Sequence, residues 1–157
     1  MRLVRVDDGF SVMAQPVAGD MAALAAQGFV AVVNNRPDGE EPGQPAAAEM
    51  AAAAARAGLG YSRMPVVAGA MTRDDAARFR RLLAAAAGPV VAHCRSGSRS
   101  LTLWAAGEVM DGRMSADDAR LFAAGLGYDL AGLDACLAAG RGDGDGDDGG
   151  NGHGDEK

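Results

Sequence analysis

The stretch Pro89-Val90-Val91-Ala92-His93-Cys94-Arg95-Ser96-Gly97-Ser98-Arg99-Ser100-Leu101-Thr102-Leu103-Trp104 decides the fold. Pro89 to Ala92 is a short apolar run of the kind a parallel sheet buries on both faces. A polar loop, His93 to Ser100, interrupts it, and Leu101, Leu103 and Trp104 resume as a helix. Strand, tight loop and helix in that order leave the loop's amides at a helix N-terminus. Unpaired N–H groups and the positive end of the dipole favour an anion there. Cys94 opens the loop, and Arg95 and Arg99 lie within five residues of it. Helix terminus and cations both stabilise a thiolate over a thiol. The loop reads as a holder for a nucleophilic sulfur beside a bound anion.

Outward from this loop, strands alternate with helices. Leu3 to Val6 and Phe10 to Met13 read as strands about the turn Asp7-Asp8-Gly9. Ala18 to Gln27 reads as a helix with Gly28 past its end, and Phe29 to Val33 as a central strand. The loop Asn34 to Gly43 is dense in turn residues, and the alanine-rich helix Ala46 to Ala57 follows. Tyr61 to Val66 is the next strand, ended by Pro65. Thr72 caps a helix with Asp75 as a short stand-in for the capping-box Glu, and Gly88 closes it. Ser115 and Asp129 cap two final helices, Ala116 to Ala124 and Leu130 to Ala139. This alternation predicts a three-layer α/β/α domain over residues 1–139, with a mostly parallel central sheet. Ligands bind beyond the carboxyl ends of such strands, which gathers the loops starting at Asn34, Val66 and Cys94 into one candidate site.

Composition narrows the function classes. The chain has 157 residues and a net charge of -6, of which residues 141–157 hold -4. No basic stripe offers itself to nucleic acid. Two cysteines 42 residues apart make neither a disulfide framework nor a zinc spacing, so no metal or cofactor is expected. The N-terminal MRLVRVDDGF lacks a signal peptide's apolar core, and the run Leu82 to Ala92 is too short to span a bilayer. The expectation is a cytoplasmic protein away from membranes. Residues 140–157, RGDGDGDDGGNGHGDEK after Gly140, hold nothing apolar that could pack and are expected to be disordered. Asp143, Asp145 and Asp147 fall at calcium-loop positions, but Asp148 and Gly154 stand where that loop needs Gly and Glu. The tail reads as a solvated appendage.

The chemistry turns on spacing. A strand leading into His-Cys, then a Gly-containing loop and an Arg, resembles the protein tyrosine phosphatases, while Cys-Arg-Ser-Gly-Ser-Arg-Ser is similar to the active loop of rhodaneses, the sulfurtransferases. Phosphatases place five residues between Cys and Arg. Here Arg95, Ser96, Gly97 and Ser98 make four, a tighter cradle that suits a persulfide's outer sulfur. Phosphomonoester cleavage also needs an acid to protonate the departing oxygen. The resemblance places that acid in the loop Pro65 to Met71, which holds no carboxylate. Sulfur transfer needs none, since a thiolate leaves readily.

The likeness extends over residues 1 to about 110. FSVMAQPV (10–17), VVNNRPDGEEPGQP (32–45), the Pro65-Val66 turn and CRSGSRSLTLW (94–104) resemble a small bacterial family of phosphatase-like fold. Its members are described as sulfur transferases, its domains occur fused to metallo-β-lactamase-type persulfide dioxygenases, and some relatives have been treated as phosphatases. The resemblance implies sulfide and persulfide metabolism. A small sulfur donor and a thiol, sulfite or cyanide acceptor would be the partners, with a persulfide dioxygenase or sulfide-oxidising enzyme as a further one.

On this reading Cys94 and Arg99 are catalytic: Cys94 carries the sulfur, and Arg99 holds the donor's anionic part. Arg95, Ser96, Gly97, Ser98 and Ser100 form the anion-binding loop, with Arg95 at the mouth. His93, Asn35, Arg36 and Asp38 are second-layer candidates. His93 either tunes Cys94 or only bonds backbone, and Arg36, Asp38, Glu40 and Glu41 read first as an internal salt-bridge or turn network. Cys136, between Leu133 and Leu137, reads as inert packing, and Trp104 as core. Two rivals stand beside the sulfurtransferase. One is a cysteine-dependent phosphatase that borrows Asp38, Glu40 or Asp74 as acid. The other is a non-catalytic module that binds an anion or a partner enzyme.

Overall fold

A computed structural model describes residues 1–140. Its elements run β1 (Leu3–Asp7), β2 (Phe10–Met13), α1 (Asp20–Ala26), β3 (Ala31–Asn34), α2 (Ala47–Arg56), β4 (Gly60–Arg63), α3 (Arg73–Ala85), β5 (Val90–His93), α4 (Ser98–Met110), α5 (Ala116–Gly125) and α6 (Leu133–Ala138). The strands form one sheet in the order β1-β2-β5-β3-β4. Only the β1–β2 hairpin is antiparallel; β2, β5, β3 and β4 are mutually parallel. The last strand in sequence therefore fills the central slot, and all four of its residues are buried.

The period of two along β5 divides the core. Val90 and Ala92 face Phe10, Phe79, Leu101, Leu103 and Leu133, while Val91 faces Met21, Leu24 and Met50 on the other side. Helices α1 and α2 thus cover one face and α3 to α6 the other, the three-layer arrangement that the alternation predicts. Trp104 packs as expected in the larger cluster, stacked on Phe10 at 6.3 Å between ring centroids. Thr72 and Asp75 close a reciprocal capping box on α3, and Ser115 caps α5. No helix among the described residues is long and apolar enough to cross a membrane.

Several boundaries move for identifiable reasons. Helix α1 starts at Asp20 rather than Ala18, because the Asp20 carboxylate accepts the Val17 N–H at 2.9 Å and the chain turns there. Strand β4 stops at Arg63. Beyond it, Met64 and Val66 N–H still donate to the Asn34 and Asn35 carbonyls, but Pro65 has no N–H to offer. The last helix begins at Leu133 instead of Leu130, after a turn closed by Leu133 N–H on the Leu130 carbonyl, and Gly132 rather than Asp129 precedes it. The readings of disorder and of a calcium-loop pattern in residues 141–157 lie outside the described residues.

Phe79 is fully buried and meets Phe10 edge-on at 5.6 Å. Phe79→Ala is expected to lower unfolding stability by about 3–5 kcal/mol. Thr72→Ala, which opens the capping box, should cost about 1 kcal/mol. Urea denaturation of both variants checks the ranking.

Candidate active site

Strand β5 carries Cys94 to the carboxyl edge of the sheet, and α4 opens four residues later. Between them the chain must fold back tightly, and Gly97 makes this possible with φ of +102°, in the left-handed region that side chains disfavour. A Cβ here would also lie 2.6 Å from the Tyr128 hydroxyl and 3.3 Å from the Met13 carbonyl. This conformation turns the Gly97 N–H onto the Cys94 sulfur at 3.1 Å. Cys94 is only 1% exposed, although the residues around it in the loop are polar. Arg95 and Ser96 take the exposed positions, and the sulfur lies beneath them.

Arg99, in the first turn of α4, is engaged on two sides. Its Nη1 donates to Glu40 Oε2 at 2.8 Å and to the Val66 carbonyl at 3.0 Å, and Nη2 donates to Glu40 Oε1 at 2.9 Å. Glu40 also accepts from Arg36 Nε at 2.9 Å. Arg36, almost wholly buried, reaches Glu41 Oε1 at 2.9 Å and Gln15 Oε1 at 3.2 Å. Glu41 meets exposed Arg95 at 3.4 Å. The loops starting at Asn34, Val66 and Cys94 therefore do converge, joined by charge. Three guanidinium groups face two carboxylates, which leaves this cluster with one positive charge.

The network fixes protonation. Hydrogen bonds from Arg99, then from Arg36, outweigh burial and hold the Glu40 carboxyl at about 2. Arg36 in turn draws the Glu41 carboxyl down, with Arg95 assisting. The Glu40 bonds raise Arg99 against its own burial, and the adjacent charge of Cys94 adds to them. For Arg36, burial works against the charged form, but Glu41 and Glu40 prevail. Burial pushes His93 down to about 4, so its ring is neutral at pH 7. Nδ1 of that ring lies 3.3 Å from the Cys94 carbonyl, the backbone alternative of the two readings, while Nε2 is buried without a partner among the described residues.

Other expected site residues sit elsewhere. Asp38 does not support the cysteine: it accepts the Ala47 N–H at 2.8 Å, serving the start of α2, and pairs with Arg63 at 3.1 Å. The Ser100 hydroxyl donates to Asn35 Oδ1 at 2.7 Å, bracing the loop against β3 rather than offering itself to an anion. Asn35 also donates to the Met64 carbonyl at 3.0 Å. Ser96 Oγ accepts the Ser98 N–H at 3.3 Å. Asp74 is exposed on α3. Cys136 is buried with its thiol pushed up to about 11 by burial, in keeping with inert packing. Among the described residues no group of three or more His, Cys, Asp or Glu converges as a metal site.

Tyr128 was not legible in the sequence. Its hydroxyl donates to the Ser96 carbonyl at 3.1 Å and lies against Gly97. Nothing in the run after Gly112 signals this, because the contact depends on how α5 packs on α4.

A buried cysteine at the end of a central parallel strand, an amide turned onto its sulfur and an arginine from the following helix define the cysteine-phosphatase-like class of α/β proteins. The family model of the beta-lactamase hydrolase-like protein, phosphatase-like domain, matches residues 2–111, and the chain belongs to that family. A beta-lactamase hydrolase-like protein of Agrobacterium fabrum is 42% identical over 130 residues. That match covers 83% of this chain and 30% of the relative, so the chain spans under a third of the length of the curated relatives it matches. A candidate phosphatase from Neisseria meningitidis Z2491 superposes with a TM-score of 0.75 at 31% identity, over 82% of this chain and 90% of that one. TpbA of P. aeruginosa, in complex with phosphotyrosine, shares the fold at a TM-score of 0.67 and 21% identity, over 88% of this chain and 83% of its own.

With Glu40 held ionised at about 2 and the usual unfolded value near 4.5, the unfolded chain binds the extra proton between them. Stability is therefore expected to fall as pH drops from about 5 to 2. In Glu40→Gln that component is absent, so the slope of unfolding free energy against pH over this range should flatten. Urea titrations at a series of pH values measure it; an unchanged slope contradicts the ion-pair assignment.

Proposed function

We propose that the chain is a cysteine-dependent transferase of the phosphatase-like fold, and that the group it moves is sulfane sulfur. The observation that carries this reading is the absence, among the described residues, of a carboxylate free to act as acid beside Cys94. Glu40 is the carboxylate at Arg99, and two guanidinium groups keep it ionised. Asp38 is committed to α2 and Arg63, and the loop after β4 brings only the Val66 carbonyl to Arg99. An alkoxide leaving a phosphomonoester needs a proton, whereas a thiolate or sulfite leaves without one. The four-residue spacing between Cys94 and Arg99 supports the same reading.

The Cys94 thiolate attacks the outer sulfur of a persulfide or of thiosulfate. A bond forms from Sγ to that sulfur, and the donor's own sulfur–sulfur bond breaks. Its electron pair departs on the thiolate or sulfite, so no external oxidant is required. The Gly97 N–H, and the amides of the first turn of α4 that have no intrahelical partner, stabilise negative charge on the attacking and transferred sulfurs. A thiol, sulfite or cyanide then attacks the outer sulfur and returns Cys94 as thiolate. A reduced thiol of this kind fits a cytoplasmic setting. An enzyme that forms or oxidises persulfides is the class of partner that would supply its donor or consume its product.

A second reading is a cysteine phosphatase, in which Cys94 attacks phosphorus and Arg99 binds the equatorial oxygens. The descriptions of the family model and of the Neisseria meningitidis structure favour it over sulfur transfer. It requires Glu40 to leave Arg99 and take up a proton, or water to protonate the leaving oxygen. One pair of assays separates the two. Incubation with thiosulfate or glutathione persulfide should add the mass of one sulfur atom to the intact protein, and Cys94→Ser should abolish the addition. No added sulfur, together with turnover of p-nitrophenyl phosphate that Cys94→Ser abolishes, would establish the phosphatase instead.

A further inference from the structure

The committed donors of Arg99 raise a question about substrate recognition. Three of its five N–H bonds serve Glu40 and the Val66 carbonyl, which leaves Nε and one Nη2 proton for the group at Cys94 and no donor set for a substrate's remote charge. Cations elsewhere must anchor that charge. A cleft of about 580 Å³, within the range of small-molecule sites, is lined in part by Arg95 and Ser96 of the Cys94 loop and does not include Arg99. Ser96, Tyr128, Val4 and Leu126 line it, and Arg2 and Arg95 supply positive charge, Arg95 while also meeting Glu41 at 3.4 Å. No carboxylate among the described residues lines it.

We propose that this cleft is the subsite for the acidic tail of the substrate, an organic thiol or persulfide that carries a carboxylate. The assignment builds on Cys94 as the reacting sulfur. Tyr128 supplies the connection between cleft and sulfur. Its hydroxyl donates to the Ser96 carbonyl and abuts Gly97, the residue whose amide holds Sγ, so contacts run from the cleft lining through Tyr128 and Gly97 to the reacting atom. Tyr128 also responds to both ends: burial first, then the charge of Cys94, raises its hydroxyl, and Arg2 opposes them. A bare inorganic oxyanion would occupy only the Cys94 end. A ligand with a short apolar stem and a terminal carboxylate would lay the stem on Val4 and Leu126 and bring its charge to Arg2 and Arg95. The Leu126–Tyr128 wall lies beyond residue 111, where the family model's match stops.

The test uses the full chain and S-methylglutathione, an unreactive thioether with two carboxylates, in titration calorimetry. The wild type should bind it. Arg2→Gln should weaken binding about three- to fivefold, the size expected of a part-exposed ion pair. Leu126→Glu, which brings a carboxylate into the cleft, should weaken it more. The diethyl ester of the probe should bind the wild type more weakly than the acid does, and Arg2→Gln should not weaken the ester's binding further. No binding by the wild type, or equal affinity for acid and ester in every variant, overturns the subsite. Sulfur addition at Cys94 is read separately by mass. Charge-selective binding without sulfur addition supports the cleft and removes the sulfur-transfer reading, whereas sulfur addition with charge-blind binding removes the cleft alone.

Discussion

The hydrogen bond from the Gly97 N–H to the Cys94 sulfur depends on a backbone conformation that only glycine adopts readily, and the surrounding structure is arranged to hold it. A buried polar group is costly unless a donor or acceptor meets it, and here the Gly97 N–H comes from backbone that cannot swing away. The central position of β5 fixes one end of the turn and the apolar face of α4 fixes the other. Ser100 on Asn35 and Tyr128 on Ser96 brace its two flanks. Each brace comes from a different element, so the loop is held by the fold as a whole.

Charge around this turn is balanced closely. Arg99 and Arg36 share Glu40, and Glu41 spans Arg36 and Arg95. Because Arg36 is almost fully buried, removing its carboxylate partners would leave an uncompensated cation, which is far more damaging than losing a surface pair.

Short-range features were legible in the sequence and long-range side-chain contacts were not. The strand, loop and helix about Cys94 follow from an apolar run broken by Gly97 and resumed at Leu101. The capping box at Thr72 and Asp75 likewise depends on residues three apart. The Arg36 network with Glu40 and Glu41 was foreseen as a turn network, but its extension to Arg99, 59 residues away, was not. Tyr128 on Ser96, 32 residues apart, and Asp38 turned to Ala47 and Arg63 were hidden for the same reason. Such contacts join loops whose sequence spacing has no period, so neither alternation nor helical repeat encodes them. The polar loop around Cys94 carries no sign of the sulfur's burial, because the fold sends the neighbouring side chains outward.

Diffraction from crystals exposed to thiosulfate, recorded where sulfur scatters anomalously, tests the central claim most directly. Transfer to Cys94 predicts a new anomalous peak about 2.05 Å from Sγ, the length of a sulfur–sulfur bond, facing the first-turn amides of α4. An unmodified Sγ after full exposure, with no second sulfur bonded to it, would contradict the account.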